Sequence, residues 1–593
     1  MISSIRGEIC WAIAAAFLLM SGGSLAADPA KVLHVATNDI ETLDPQQWQD
    51  DFSTRIGRSI FEGLYEWDYL ARPPRLASNT AVAAPEIAAD GKTWTIRVKP
   101  GIYFSDDPAF HGKRRELIAE DYVYSFKRYL DPNLRLGGEP ATTDLIIGMR
   151  PIVDAARKPG AKLDYDAPVE GLRSLDRYTL QFRLNQPNFP LMSVDLVVVL
   201  AVAREVVEAA AGDIQLRAVG TGPYRLKEWK RGSRIVLQAN DAYRAIVFPD
   251  ASDPAQDRLT NAMKGKRLPQ VGTIEFSVME EMQTRLLEFK RGKLDVIELR
   301  GSAAQALLQN GDLDPSLAAR AVDHQVDPYG TRSVYFNMED AVVGGMGKEQ
   351  IALRRALVLG FDANALTNVV YGGRARPANQ ILPPGVVGFD PTRSGSSRYD
   401  PAAANSLLDR FGYRNRDHDG FRLAPNGQPL VLTMTTFSGQ VWEEMQTLWK
   451  KNMGAIGVRM QFRSLPPQDL FKEVTLGKYQ LCVHGRNTSP MGLRLLELYG
   501  NEPPNLNDSR FHYDAYDRAM EQYLRVPSDT DRLVAARTMN KIVDDFVPEF
   551  PMVLELTDTF VQPWVLGYRY SPFDAPYKFI DIDLIKQRSA SGR

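Results

Sequence analysis

The sequence predicts an α/β protein of more than one domain, and two observations carry that reading. The chain has 593 residues, more than a single hydrophobic core organises, so it must divide. Residues 430–485 then switch between two periodicities. Leu430, Leu432 and Met434 recur at every second position, whereas Trp442, Met445, Trp449 and Met453 recur at helical spacing. Val458, Met460 and Phe462 alternate again, a helix with Leu470, Phe471 and Val474 follows, and residues 479–484 close the unit as a third strand. A β-α-β-α-β run implies parallel strands joined by right-handed crossovers. Ligands of open α/β sheets bind beyond the carboxyl ends of such strands. Gly485, Arg486 and Asn487 follow the third strand and therefore sit at a binding edge.

From the beginning of the chain, Arg6 and the apolar run Ile9–Met20 read as a leader, with Ser24 and Ala26 placed for cleavage after Ala26. The run is shorter than the roughly 20 residues a membrane helix needs, and no cysteine follows it to accept a lipid. The expected product over 27–593 is soluble and exported. It keeps Cys482 alone, so it forms no internal disulfide. Residues 31–36 read as a buried strand, and Leu43-Asp44-Pro45 ends the loop after it. Thr93–Lys99 places Trp94, Ile96 and Val98 on one strand face, and Pro100-Gly101 turns the chain. Leu117–Leu130 is predicted helical, with Tyr122, Phe126 and Tyr129 on one side and Pro132 as the stop. Residues 131–169, rich in Pro, Gly and charge, are expected to form surface loops. Tyr178–Leu184 reads as a strand, and Tyr224–Gln238 as a hairpin around Arg231-Gly232-Ser233.

Composition narrows the function. Hydrophobic content of 44% and charged content of 24% are those of a globular protein. The formal net charge is −2 and no block of Lys or Arg stands out, so nucleic acid and anionic membranes are not expected partners. The chain has no HExxH, CxxC, Walker A or Gly-x-Ser-x-Gly motif, and its six histidines do not fall at metal-ligand spacing. No catalytic residue, metal or cofactor is expected. Cys482 and His484 share a strand face, but their Cα atoms stand about 6.6–6.8 Å apart, too far for a nucleophile–base pair. Their face reads instead as the polar side of a strand lining a cleft or wall. Asp417-His418-Asp419-Gly420 lacks the terminal Glu of a calcium loop and reads as a surface turn.

Several segments resemble the oligopeptide- and dipeptide-binding proteins of ABC importers (solute-binding family 5). The most specific is Ala84–Asp106, a strand–turn–strand that continues, after an insertion, into Ala119-Glu-Asp-Tyr-Val-Tyr-Ser-Phe126. Leu43-Asp-Pro, Phe61-Glu-Gly-Leu64, Gly220-Thr-Gly-Pro-Tyr-Arg-Leu226 and Asn240-Asp-Ala-Tyr243 match in order. Tyr335-Phe-Asn337, Leu353-Arg-Arg-Ala-Leu357 and Asn426-Gly-Gln-Pro-Leu430 follow. The resemblance implies a two-lobed clamshell with an additional inserted domain. Residues 27–66, 191–330 and 549–593 would build the first lobe, 67–190 the extra domain, and 331–548 the second lobe. It further implies a periplasmic monomer that encloses a peptide-like solute by hinge closure and presents it to the permease of an ABC importer. A ligand sensor or chaperone on the same fold, or a periplasmic hydrolase, are the competing readings.

The same resemblance places Gln49, Asp50 and Asp51 on the first-lobe side of the ligand, with Gly485, Arg486 and Asn487 opposite. Arg486 stands where relatives have Trp, and Thr488 or Ser489 where peptide binders have an Asp that pairs with the ligand ammonium. A buried ammonium needs a carboxylate, so either Asp50 or Asp51 supplies it or the ligand has no free α-amine. Arg486 points to a carboxylate or phosphate on the ligand, or else pairs with Glu502 or Asp508. For Asp50 and Asp51 themselves, solvated loop charges are the reading preferred over ligand contacts. Trp442 and Trp449 are expected in the core.

Overall fold

The computed structural model describes residues 27–48, 50–71, 74–134, 140–249, 261–393, 399–486, 490–500, 502, 506–571 and 575–591. The leader expected over 1–26 lies outside them. The chain opens with strand β1 (Asp28–Thr37) and helix α1 (Asp51–Gly57). After an inserted segment come the hairpin β2 (Tyr224–Lys230) and β3 (Arg234–Ala239), then β4 (Val271–Val278), α2 (Met282–Lys290) and β5 (Val296–Arg300). Strand β6 (Asp323–Phe336) leads into β7 (Ala375–Pro377), β8 (Val431–Phe437), α3 (Gln440–Ala455), β9 (Arg459–Leu465), α4 (Pro467–Thr475) and β10 (Leu481–Arg486). The long strand β11 (Glu549–Val561) returns.

These strands form one 11-stranded sheet in the order β9-β8-β10-β6-β11-β5-β1-β4-β3-β2, with β7 also paired to β11. β8 lies parallel to both β9 and β10, as the β-α-β-α-β pattern requires. The sheet is buried in two separate halves. Leu33, Ile235, Leu237, Ile274 and Phe276 belong to one core, and Leu432, Met434, Trp449, Val483 and Phe550 to another.

β6 and β11 pair antiparallel along their whole length and belong to both halves. Thr557–Val561 of β11 pairs with β5, whereas Thr331–Phe336 of β6 pairs with β10. The β6–β11 register shifts between Pro328 and Gly330 and again between Arg332 and Ser333. Proline has no N–H to give the ladder, and a bulge bends a strand. The sheet is therefore continuous but bent where it passes between the lobes.

The inserted segment has its own four-stranded sheet, in the order Glu86–Ile87, Thr93–Arg97, Thr179–Arg183, Leu172–Ser174. Trp94, Ile96 and Val98 are buried on one face, as their alternation predicts. The helix Ala119–Tyr129 starts where the Asp121 carboxylate accepts the Ile118 N–H at 2.9 Å. Residues 131–169 are not all loop: Pro140–Leu145 and Met149–Ala156 are helices. Met149, Val153 and Ala156 bury a single face, and the charged residues between them obscured that spacing.

Three of the quoted motifs converge on one buried carboxylate. Glu62 accepts two hydrogen bonds from Arg244, at 2.6 and 2.9 Å, one from Thr221 at 3.0 Å and one from Tyr243 at 3.1 Å. Gly220 and Gly222 let this loop close down, since a Cβ on either would stand 2.0 or 2.6 Å from the Ile60 carbonyl oxygen. Asp44 of Leu43-Asp44-Pro45 is likewise buried and is clasped by both terminal nitrogens of Arg128, each at 2.5 Å. That pair ties the loop after β1 to the inserted segment. Arg354 donates to the carbonyls of Phe546, Val343 and Gly345, closing the end of the helix Asp529–Phe546. These motifs hold the scaffold together.

Candidate functional site

The first-lobe wall is built by α1 and the carboxyl ends of β1 and β5. Asp50 caps α1: its carboxylate accepts the Ser53 N–H at 2.8 Å and the Ser53 hydroxyl at 2.5 Å. Asp51, the first residue of the helix, is exposed and lines a cavity of about 280 Å³. Phe52, Met282, Ile297 and Tyr577 give that cavity apolar walls, while Arg55, Arg285, Glu298 and Arg300 give it charge. Arg55 and Glu298 pair at 2.6 Å, and the Tyr568 hydroxyl donates to the same Glu298 oxygen at 2.7 Å. Burial opposes the charge on Glu298, but attraction to Arg55 and these hydrogen bonds outweigh it and hold the carboxyl below its usual range.

The second-lobe wall stands beyond the carboxyl ends of β8, β9 and β10. Gly485 of β10 lies opposite Arg332 of β6. A Cβ on Gly485 would be 3.8 Å from both the Arg332 guanidinium carbon and Glu555 Oε2. Arg332 pairs with Glu555 at 2.6 Å and lies over the Trp442 ring, 4.6 Å from its centroid. Trp442 in turn meets Phe437 edge-on at 4.9 Å, and Phe437 meets Phe471 at 5.8 Å. Tyr371 joins the two walls. It is buried close to Glu555 and Arg332, and burial with the Glu555 charge pushes its hydroxyl pKa up; a Cβ on Gly301, next to Arg300, would stand 3.6 Å from its ring. The floor of the cleft is thus β6 and β11 themselves, at the bend in the sheet.

The resemblance puts Asp51 and Gly485 on opposite sides of the ligand; in the structure Asp51 lines the cavity beside α1, and Gly485 lies on β10 opposite Arg332. Asp50 is committed to the helix cap. Gln49, Asn487, Thr488, Ser489 and the Arg486 side chain lie outside the described residues. Of the two tryptophans expected in the core, only Trp449 is fully buried, stacked on Phe361 at 4.2 Å. Trp442, in the first turn of α3, packs on Phe437 at the end of β8 and under Arg332 of β6, at the margin of the sheet, and stays partly exposed. Cys482 and His484 share a face, but that face is interior. His484 stacks on Tyr335 at 4.2 Å and stands 3.3 Å from Asp508. In the turn at 417–420, Asp417 and Asp419 both face Arg459 at 3.0 Å.

Arg332, Glu555, Tyr371, Arg55 and Glu298 were not singled out from sequence. One signal was available: Glu555 and Asp558 interrupt the apolar run of β11, and a carboxylate inside a buried strand demands a partner. Among the described residues no three His, Cys, Asp or Glu side chains gather as a metal site. No helix there is long and apolar enough to cross a membrane.

Comparison with known proteins is consistent with this architecture. The chain is 23% identical over 512 residues to di/tripeptide-binding protein 2 of Pseudomonas aeruginosa, covering 83% of each. The periplasmic binding protein DppA of Helicobacter pylori, solved in complex with the peptide STSA, superposes with a TM-score of 0.67 at 18% identity. That match covers 93% of this chain and 98% of DppA. NikA of Brucella suis, solved in complex with Fe(III)-EDTA, gives a TM-score of 0.70 at 16% identity, covering 94% and 100%. Both are two-lobed α/β folds of the kind described above. The family model described as "Bacterial extracellular solute-binding proteins, family 5 Middle" matches residues 74–494, and the chain belongs to that family.

Proposed function

We propose that this protein is an exported receptor of the periplasm. It captures a peptide or peptide-like solute, N-blocked or acidic, between its lobes and delivers it to the permease of an ABC importer. The observation that carries the reading is the cleft: two chemically distinct walls meet over a bend in one continuous sheet, so closing the bend encloses whatever lies between them. A relative that binds di- and tripeptides and a neighbour holding a peptide support a peptide-like cargo. A neighbour holding Fe(III)-EDTA shows that the fold alone does not choose the ligand. The charged cleft, with Arg332 and Arg55 already paired to acids, favours a solute with polar ends over a purely apolar one.

The test is native mass spectrometry of protein purified from periplasm. A co-purified adduct that fragments as an amino-acid conjugate is the expected result, and an adduct with no amino-acid fragment would overturn the peptide-like reading. Free-amino tripeptides are expected to bind poorly by calorimetry. Low-micromolar affinity for a random tripeptide mixture would contradict the N-blocked or acidic assignment.

A further inference from the structure

Of the three arginines that line the first-lobe cavity, Arg55 is neutralised by Glu298. Arg285 is different. Its Nε donates to the Met279 carbonyl at 2.5 Å, a terminal nitrogen donates to the Asn38 side-chain oxygen, and the group stands 5.8 Å from the Phe52 ring centroid. These contacts are all neutral, and among the described residues no carboxylate lies within ion-pair distance of it. Its other terminal nitrogen has no acceptor there. Arg300, at the end of β5, faces the same cavity and donates to Thr557 Oγ1 at 3.4 Å. The cavity lining as a whole sets three arginines, Arg55, Arg285 and Arg300, against two carboxylates, Asp51 and Glu298, one positive charge in excess. A guanidinium drawn out of water without a counter-charge is costly unless a partner arrives. Consistent with that, burial pulls the Arg285 pKa down, with only Glu280 nearby to raise it.

We propose that this cavity is the subsite for an anionic group of the solute, a carboxylate or a phosphate, held by Arg285 and Arg300 while the apolar walls take the atoms that carry it. A guanidinium fork suits either anion. The inference rests on the receptor reading above and sharpens it by placing the acid of the ligand in the first lobe.

The test uses the full mature chain and calorimetric titration at low ionic strength. The probes are N-acetylated, C-terminally amidated alanine tetrapeptides carrying Glu, Gln, phosphoserine or Ser at each position in turn, plus the free-acid form of the all-alanine peptide. At one position, or at the free C-terminus, the anionic form is expected to bind about ten-fold or more tightly than its neutral counterpart. The position and group that show the preference distinguish side-chain carboxylate, terminal carboxylate and phosphate. Arg285→Gln is expected to shrink that preference to about three-fold or less while leaving the neutral peptide's affinity near its original value. Arg300→Gln serves as the second variant should Arg285→Gln not fold. Equal affinity for charged and neutral peptides would overturn the subsite and leave the receptor reading standing, as would a preference that survives both substitutions. Binding of none of the peptides would refute the peptide-like cargo and the subsite with it.

Discussion

Glu62 is buried yet charged because segments far apart in sequence bring it four hydrogen bonds and a guanidinium. Burial opposes its ionisation, attraction to Arg244 more than compensates, and the carboxyl sits below its usual range. A depressed folded value stabilises the protein above the unfolded value of about 4.5, and that stability is lost as pH falls through the lower folded value. Glu62→Gln leaves Arg244 buried without a counter-charge. It is therefore expected to cost about 3–5 kcal/mol near neutral pH, with the deficit relative to the parent narrowing in acid. Urea unfolding at pH 7 and near pH 3 checks both statements. An equal deficit at the two pH values would refute the electrostatic account. Asp44→Ala should cost a similar amount by uncovering Arg128, read in the same assay. At this scale the sequence was legible as pattern but not as purpose. Phe61-Glu62-Gly63 and Asn240–Tyr243 stood out, yet their meeting is a contact between residues some 180 positions apart, which no local spacing encodes.

Among the elements, alternating strands and the β-α-β-α-β unit were readable because period-2 and period-3.6 patterns are properties of a short window. Trp442 escaped because a helical pattern does not say where the sheet beneath it stops. The crossing of β6 and β11 escaped because pairing register is a relation between distant segments. The wall residues Arg332 and Glu555 escaped with it, since they sit on those two strands. Their pairing makes a prediction. Arg332→Met alone should destabilise the fold by about 3 kcal/mol or more, because Glu555 is left largely buried and unpaired. Adding Glu555→Gln should recover much of that loss. A double variant no more stable than Arg332→Met would show that the ion pair is not what Arg332 contributes.

For the molecule as a whole, the lobes also touch away from the hinge. Val387 and Met491 of the second lobe join the buried cluster shared by the first lobe and the inserted segment, and Arg525 reaches Gln186 of the inserted segment at 3.5 Å. On the receptor reading proposed above, closure of the cleft would press this contact together. Met491→Asp is expected to favour the open arrangement, raising the radius of gyration in small-angle scattering. It should also weaken capture of the co-purified solute about ten-fold, or about 1.4 kcal/mol. Unchanged scattering would remove Met491 from the closing contact.

The route of the chain through its sheet also dictates when the molecule is able to fold. β11, near the carboxyl end, is the strand that lies between β5 and β6. Until it emerges, the strands of the first lobe have no partner on that edge and the two halves have no shared floor. A polypeptide threaded across a membrane from its amino end therefore stays short of its final fold until almost the last residue has passed. Such long-range pairing slows folding. For the exported receptor proposed above, that delay would keep the chain extended in transit.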